Sequence, residues 1–159
     1  MKEIPITQGQ STIVDDWWYD YLMQWKWFAM WNKCTNSFYA VRREGKQPHQ
    51  KAILMHRVIM NTPDGMQCDH IHHNTLDNRE SELRNATRAQ NMRNKSLQSN
   101  NELRMRGIRR RASGNYMVRL MFEGVTVLNK TFPNLDDAIK ARLDAERKYF
   151  GEFAYGYDS

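Results

Sequence analysis

The chain has 159 residues, a net charge of +6 and 40% hydrophobic side chains. That length suits one ordinary domain or two or three small ones, and the apolar and aromatic content excludes a disordered chain. With only Cys34 and Cys68 present and no apolar run near the ~20 residues of a membrane span, a disulfide framework and a transmembrane segment are both excluded.

Glu3 and Pro5 at the start of the chain, with no apolar stretch behind them, do not read as a signal peptide. The expected compartment is the cytoplasm, not the secretory route. Charge is unevenly spread. From Arg79 to Arg111 there are ten Lys or Arg against three Glu, a net +7 that leaves −1 for the rest of the chain. A compact basic segment in a nearly neutral protein suits a surface that faces phosphates, and the plainer alternative is a solvated basic face.

In chain order, Ile4, Ile6, Ile13 and Val14 read as short strand pieces, and Asp15 can cap a helix over roughly 16–25. All five tryptophans (Trp17, Trp18, Trp25, Trp27, Trp31) fall before residue 48, beside Tyr19, Tyr21 and Phe28. They can supply a small domain with its core, and less plausibly a platform on which bases stack. Phe38 to Arg42 alternates as a strand does, and Ile53 to Met60 is read as a short helix with Ile53, Leu54, Val58 and Ile59 as its apolar set. Thr62 to Gly65 is a turn. Met66 to His70 is a strand, 71–81 a polar loop and Leu83 to Ala86 a return strand. Thr87 and Gln90 then fit a capping box that opens a helix from Arg88 to about Asn94.

After a polar linker over about 96–106, sheet patterning resumes. Ile108 to Arg111, Tyr116 to Phe122 and Val125 to Phe132 are three strands, with turns at Ser113-Gly114-Asn115 and Glu123-Gly124. A helix follows, capped by Asn134, with Asp136 and Asp137 in its first turn and Gly151 as its stop. Its apolar face is expected to be Ala138, Ala141, Ala145 and Tyr149, with Ile139 adjacent. On the middle strand, Tyr116, Val118, Leu120 and Phe122 share the face for that helix, while Met117, Arg119 and Met121 share the other.

The segment from Cys68 to Asn94 carries the chemistry. Asp69 and the side-chain oxygen of Asn91 can hold one hard divalent cation that keeps several waters. His70, adjacent on an extended strand, points away from that cation and is a suitable general base near neutral pH. Arg84, Arg88 and Arg93 can grip phosphates nearby. Taken singly, each residue is more simply a solvated or capping group; the ordered combination describes hydrolysis of a phosphodiester bond.

In that order, Met55-His56-Arg57, Asp69-His70, Leu76-Asp77-Asn78-Arg79, Leu83-Arg84 and Thr87-Arg88-Ala89-Gln90-Asn91 resemble the HNH endonucleases. The likeness is greatest to the phage and intron-borne homing enzymes in which Asn replaces the last His. The resemblance implies a ββα-metal unit, with Asp69 and Asn91 as metal ligands and His70 as base. It also implies Mg²⁺, with Mn²⁺ able to substitute, no organic cofactor, double-stranded DNA as substrate, and 5′-phosphate and 3′-hydroxyl ends. A phage-encoded protein of this kind would act in a bacterial host, as a monomer or weak dimer. From Gly107 to about Phe153 the chain resembles the AP2-type DNA-binding domain, whose sheet enters the major groove.

Two departures stand out. Glu82 occupies the position of the family's middle Asn, which supports the loop carrying the base; an ionised carboxylate accepts but cannot donate. His72 and His73 stand where the family has Asn-Gly, and a glycine there permits a positive φ. Cys68, His70 and His72 also raise the idea of a structural zinc, which is disfavoured because no second Cys/His pair is evident. His56 is read first as a packing residue.

The expected architecture is therefore α+β in two parts. An HNH nuclease domain with an aromatic-rich N-terminal segment spans 1–95, its core about 53–95; a linker spans 96–106; and an AP2-like domain of three strands and a helix spans 107–159. The expected function is a metal-dependent DNA endonuclease with Arg84, Arg88, Arg93, Lys95, Arg104, Arg106, Arg109, Arg111 and Arg119 as DNA contacts. The alternative is a DNA-binding protein whose catalysis Glu82 has impaired.

Overall fold

The computed structural model of the protein describes residues 1–94, 103 and 105–154. It is an α+β structure that divides by its internal contacts into two units, Met1–Asn91 and Met92–Ser159. The expected contacts Lys95 and Arg104, and most of the expected linker, lie outside the described residues.

The first unit opens with a hairpin, β1 (Lys2–Pro5) and β2 (Ser11–Val14), followed by a helix α1 (Asp16–Leu22). Asp15 stands at the helix N-cap without making a side-chain cap bond. Its Oδ2 instead accepts the Glu80 N–H at 2.8 Å, so a residue read as a local cap serves as a tertiary tie. Next comes an antiparallel sheet in the order β3 (Phe28–Asn32), β4 (Ser37–Glu44), β5 (Lys51–Leu54). The aromatic density of 25–32 had concealed β3. Ile53 and Leu54, expected in a helix, pair with Arg42 and Val41 as the end of β5, and the helix α2 is confined to Met55–Ile59. β-branched residues in that short apolar run favour a strand once a neighbour is available to pair.

A second hairpin joins β6 (Gln67–His70) to β7 (Leu83–Ala86), and the helix α3 (Arg88–Asn94) follows directly. Ile4, Val14, Leu22, Trp27, Ala40, Met55, Ile59 and Leu83 form one buried core. It draws on the N-terminal hairpin, α1, the sheet, α2 and β7 together, so the aromatic-rich segment and the Asp-His hairpin share one interior. Of the tryptophans, Trp27 is buried and Trp17 is exposed.

The second unit is an antiparallel sheet in the order β10 (Val125–Phe132), β9 (Tyr116–Phe122), β8 (Ile108–Arg110), covered by the helix α4 (Leu135–Phe150). Val118 and Leu120 are buried and Arg119 and Met121 exposed, the alternation a half-covered strand requires. Asn134 caps α4 by accepting the Asp137 N–H at 2.9 Å. The buried face of α4 is rotated from the expected alanine stripe: Ala138, Arg142 and Glu146 are buried, while Ala141 and Ala145 are only half-buried. An i,i+4 ion pair makes this possible, because each charge neutralises the other in the low-dielectric contact. Among the described residues no helix is long and apolar enough to cross a membrane.

Candidate active site

The Asp-His segment is built by pairing and capping. In the antiparallel register Asp69 lies opposite Arg84 and His70 opposite Leu83. The Thr87 N–H donates to Gln90 Oε1 (2.8 Å) and the Gln90 N–H donates to Thr87 Oγ1 (3.2 Å), a reciprocal box that starts α3 immediately after β7. Asn91 therefore sits on the first turn of a helix whose origin is fixed to the strand pair.

Asp69 and Arg84, facing each other across the strands, are both buried. Arg84 Nε and Nη2 donate to the same carboxylate oxygen, Oδ2, at 3.0 and 2.9 Å. Arg84 was expected to grip a phosphate. Cross-strand pairing sets its guanidinium on Asp69.

His70 is buried beside Tyr39 and His56. Its ring meets that of His56 edge-on at a centroid distance of 5.0 Å, and Tyr39 lies 6.1 Å away. Asn78 Oδ1 stands 3.3 Å from His70 Nε2. Burial pushes the His70 imidazole below its usual pKa, opposed by the Asn78 hydrogen bond and by the charges of Asp69, Asp77 and Glu82. Burial, with His70 and Arg57 nearby, pushes His56 down to about 3, so both rings are neutral at neutral pH. A neutral buried imidazole retains a lone pair for a proton. Burial likewise pushes the Cys68 thiol up to about 11, which makes it an inert core group and not a nucleophile.

Glu82 has a structural partner. Its Oε2 lies 2.7 Å from His72 Nδ1 and its Oε1 3.5 Å from Arg79 Nη2, while its backbone oxygen accepts the Ile71 N–H at 2.9 Å. His73 adopts φ +63°, so the left-handed turn is kept here by a histidine, a residue type that tolerates it better than most. Arg79 is held in turn by Asp77, and that guanidinium holds the Asp77 carboxyl below the usual carboxylate range. The loop is thus closed by two charged contacts.

Asn91 Nδ2 donates to Gln67 Oε1 at 2.7 Å. Gln67 and Asp69 are two apart on β6 and project from one face, about 7 Å apart by strand geometry. With its nitrogen on Gln67, the Asn91 amide has its oxygen at the opposite corner. Asp69 and Asn91 together offer a carboxylate and an amide oxygen, hard donors that fit a Mg²⁺-like ion completing its shell with water and phosphate. Among the described residues no group of three His, Cys, Asp or Glu side chains is disposed to hold a metal.

The remaining expected contacts divide. Arg88, Arg109, Arg111 and Arg119 are exposed. Arg93 lies over the rings of Phe122 (4.7 Å) and Phe150 (5.1 Å), and Arg106 donates to the backbone oxygens of Met92 and Arg93, so both have local roles. On the open face of the second sheet, Arg109 and Thr131 flank Met117 and Arg119 pairs with Asn129. Asn78, Thr12 and Tyr39 carry no expectation from the sequence. Only Asn78 left a signal there, as part of the Leu76-Asp77-Asn78-Arg79 motif.

No family model and no solved structure matches the chain. Over 92 residues it is 37% identical to a protein named as an uncharacterized HNH endonuclease of Acanthamoeba polyphaga mimivirus. That match takes in 58% of this chain and 47% of the relative, so the chain spans about half the length of the curated relative it matches.

Proposed function

We propose that this chain is a metal-dependent DNA endonuclease of the HNH type. His70 is its general base, Asp69 and Asn91 hold one divalent cation, and the second unit binds the target through its open sheet face. The observation that carries the reading is a buried, neutral His70 next to Asp69 on a strand–loop–strand–helix unit, in a chain similar to a protein of that name. When bound, Mg²⁺ or Mn²⁺ would supply positive charge to the phosphate and to the departing oxygen.

The chain's own residues do the rest. His70 takes a proton from a water aligned opposite the 3′ oxygen. The water oxygen bonds to phosphorus as the P–O3′ bond breaks, and the departing O3′ takes a proton from solvent water, leaving a 5′-phosphate and a 3′-hydroxyl. Arg84 holds the Asp69 carboxylate in place through two hydrogen bonds, and the Tyr39–His56 wall excludes water from one side of the His70 ring. One such site per chain cuts one strand per event. The exposed Arg109, Arg111 and Arg119, with Arg88, supply phosphate and base contacts; the strand order and covering helix of the second unit are compatible with an AP2-like module.

A DNA-binding protein with impaired catalysis is the second reading, and Glu82 is what favours it. The 2.7 Å Glu82–His72 contact weighs against it, because it supplies the loop with a support of its own. Supercoiled plasmid incubated at low salt with Mg²⁺, Mn²⁺ or EDTA separates the two. The nuclease reading expects metal-dependent nicks bearing 5′-phosphates, and expects Glu82→Asn to be weaker than wild type. Nicking by Glu82→Asn alone would establish the binding-protein reading.

A further inference from the structure

Behind His70 lies a buried polar chain that begins outside the Asp-His motif. Asn78 is 1% exposed and Thr12, on the N-terminal hairpin, 0%. Thr12 Oγ1 lies 2.8 Å from the Leu76 carbonyl oxygen and 2.6 Å from the Asn78 side-chain amide, and the other end of that amide faces His70 Nε2 at 3.3 Å. The backbone fixes both ends of this chain. The Ile13 N–H donates to Leu76 O (2.9 Å) and the Asn78 N–H to Ile13 O (2.8 Å), so β2 runs alongside the loop as a parallel bridge.

Proton counting assigns the donors along Thr12, Asn78 and His70 Nε2. A hydroxyl has one proton, and a carbonyl oxygen can only accept. The Thr12 proton goes to Leu76 O, since the alternative acceptor, Met55 Sδ, is 4.0 Å away. Toward Asn78 the hydroxyl can then only accept, so the amide atom facing it is the nitrogen and the atom facing His70 is the oxygen. The reversed amide would take the Thr12 proton and leave two oxygens 2.8 Å apart with no proton between them. An oxygen facing Nε2 requires Nε2 to be the protonated nitrogen, and a neutral imidazole carries one N–H.

We propose that Thr12 and Asn78 are positioning residues that hold His70 in the Nε2–H tautomer and so present Nδ1 as the nitrogen that receives the proton from water. The assignment rests on the nuclease reading for the identity of that water. The N-terminal hairpin is then part of the active site, although it lies far from His70 in sequence.

The test is long-range ¹H–¹⁵N NMR of the metal-free full chain at neutral pH, which distinguishes protonated from bare ring nitrogens. The His70 signals are identified by their loss in His70→Gln. Wild type and Thr12→Ser are expected to show Nε2–H. Thr12→Val, which keeps the shape but removes the acceptor, is expected to lose that preference. Its kcat on plasmid should fall roughly tenfold to a hundredfold, with KM little changed and with recovery in Thr12→Ser. An Nδ1–H tautomer in wild type overturns the proposal even if Thr12→Val fails to fold. So does a folded Thr12→Val with unaltered tautomer and kcat. An Nε2–H His70 in a chain that binds DNA but nicks none upholds the relay and fails the nuclease reading, so the two failures are distinguishable.

Discussion

Both units bury an arginine–carboxylate pair, and the two pairs differ in what surrounds them. Asp69–Arg84 lies on β6 and β7, next in sequence to His70 and across one strand face from Gln67 and its partner Asn91. Arg142–Glu146 lies along α4, and its guanidinium also donates to the backbone oxygen of Arg119. The first pair stands among groups that can bind or move charge. The second stands against backbone and joins helix to sheet. A buried ion pair is thus a functional signal only when its neighbours carry chemistry.

Replacing each pair with apolar residues breaks or sharpens that contrast most strongly. Removing one partner, as in Glu146→Ala or Arg84→Ala, strands a buried charge and is expected to cost about 3–5 kcal/mol in denaturant unfolding. Arg142→Met with Glu146→Leu should leave stability and cleavage near wild type, whereas Asp69→Leu with Arg84→Met should fold and not cut. Cleavage retained in the second double variant would remove Asp69 from the site.

Acid sensitivity should belong to the first unit. His56 titrates near 6.5 unfolded but only at about 3 when folded, so between those values the unfolded chain binds more protons. Stability is full above pH 6.5 and falls as pH drops toward 3, by on the order of a few kcal/mol, with His70 acting in the same direction. A melting temperature measured against pH should show this fall, and His56→Phe should flatten it. A curve that is flat in wild type would contradict the burial of these rings.

Gly107 is the corresponding weak point of the second unit. It has φ +65°, and a Cβ there would come within 2.4 Å of both the Arg119 backbone oxygen and the Arg142 guanidinium. Gly107→Ala should cost about 1–3 kcal/mol in unfolding, with cleavage per folded molecule unaffected. The smallest effect is expected at the open sheet face. Arg119→Gln should weaken DNA binding modestly and lower the slope of log K against log salt by about 1, read by titration at several salt concentrations.

What was legible in the sequence follows the same division. The strand–loop–strand–helix segment, the capping box at Thr87 and the alternation along β9 were readable because each is a local pattern whose pairing lies nearby. β3 and the strand character of Ile53 and Leu54 were not, because in a run of large apolar residues the neighbour that pairs decides the outcome. The buried face of α4 was misplaced for a related reason: the alanine stripe is the apolar pattern in the sequence, whereas the i,i+4 pair buries Arg142 and Glu146 jointly. The pairing of Arg84 with Asp69 was likewise hidden, because it depends on the cross-strand register. Thr12 left no trace at all, since nothing in a hairpin near the start of the chain points to a loop at 76–78.

The central claim is that His70 is the base of a metal-dependent strand cut. The measurement that tests it most directly is the initial nicking rate on plasmid DNA that the protein is shown to bind, for wild type and His70→Ala, with Mg²⁺ and with EDTA. Wild type is expected to nick, with a rate that stops in EDTA and falls about 10²- to 10⁴-fold in His70→Ala. Nicking that survives EDTA, an undiminished rate in His70→Ala, or no nicking by wild type on bound DNA would contradict the claim.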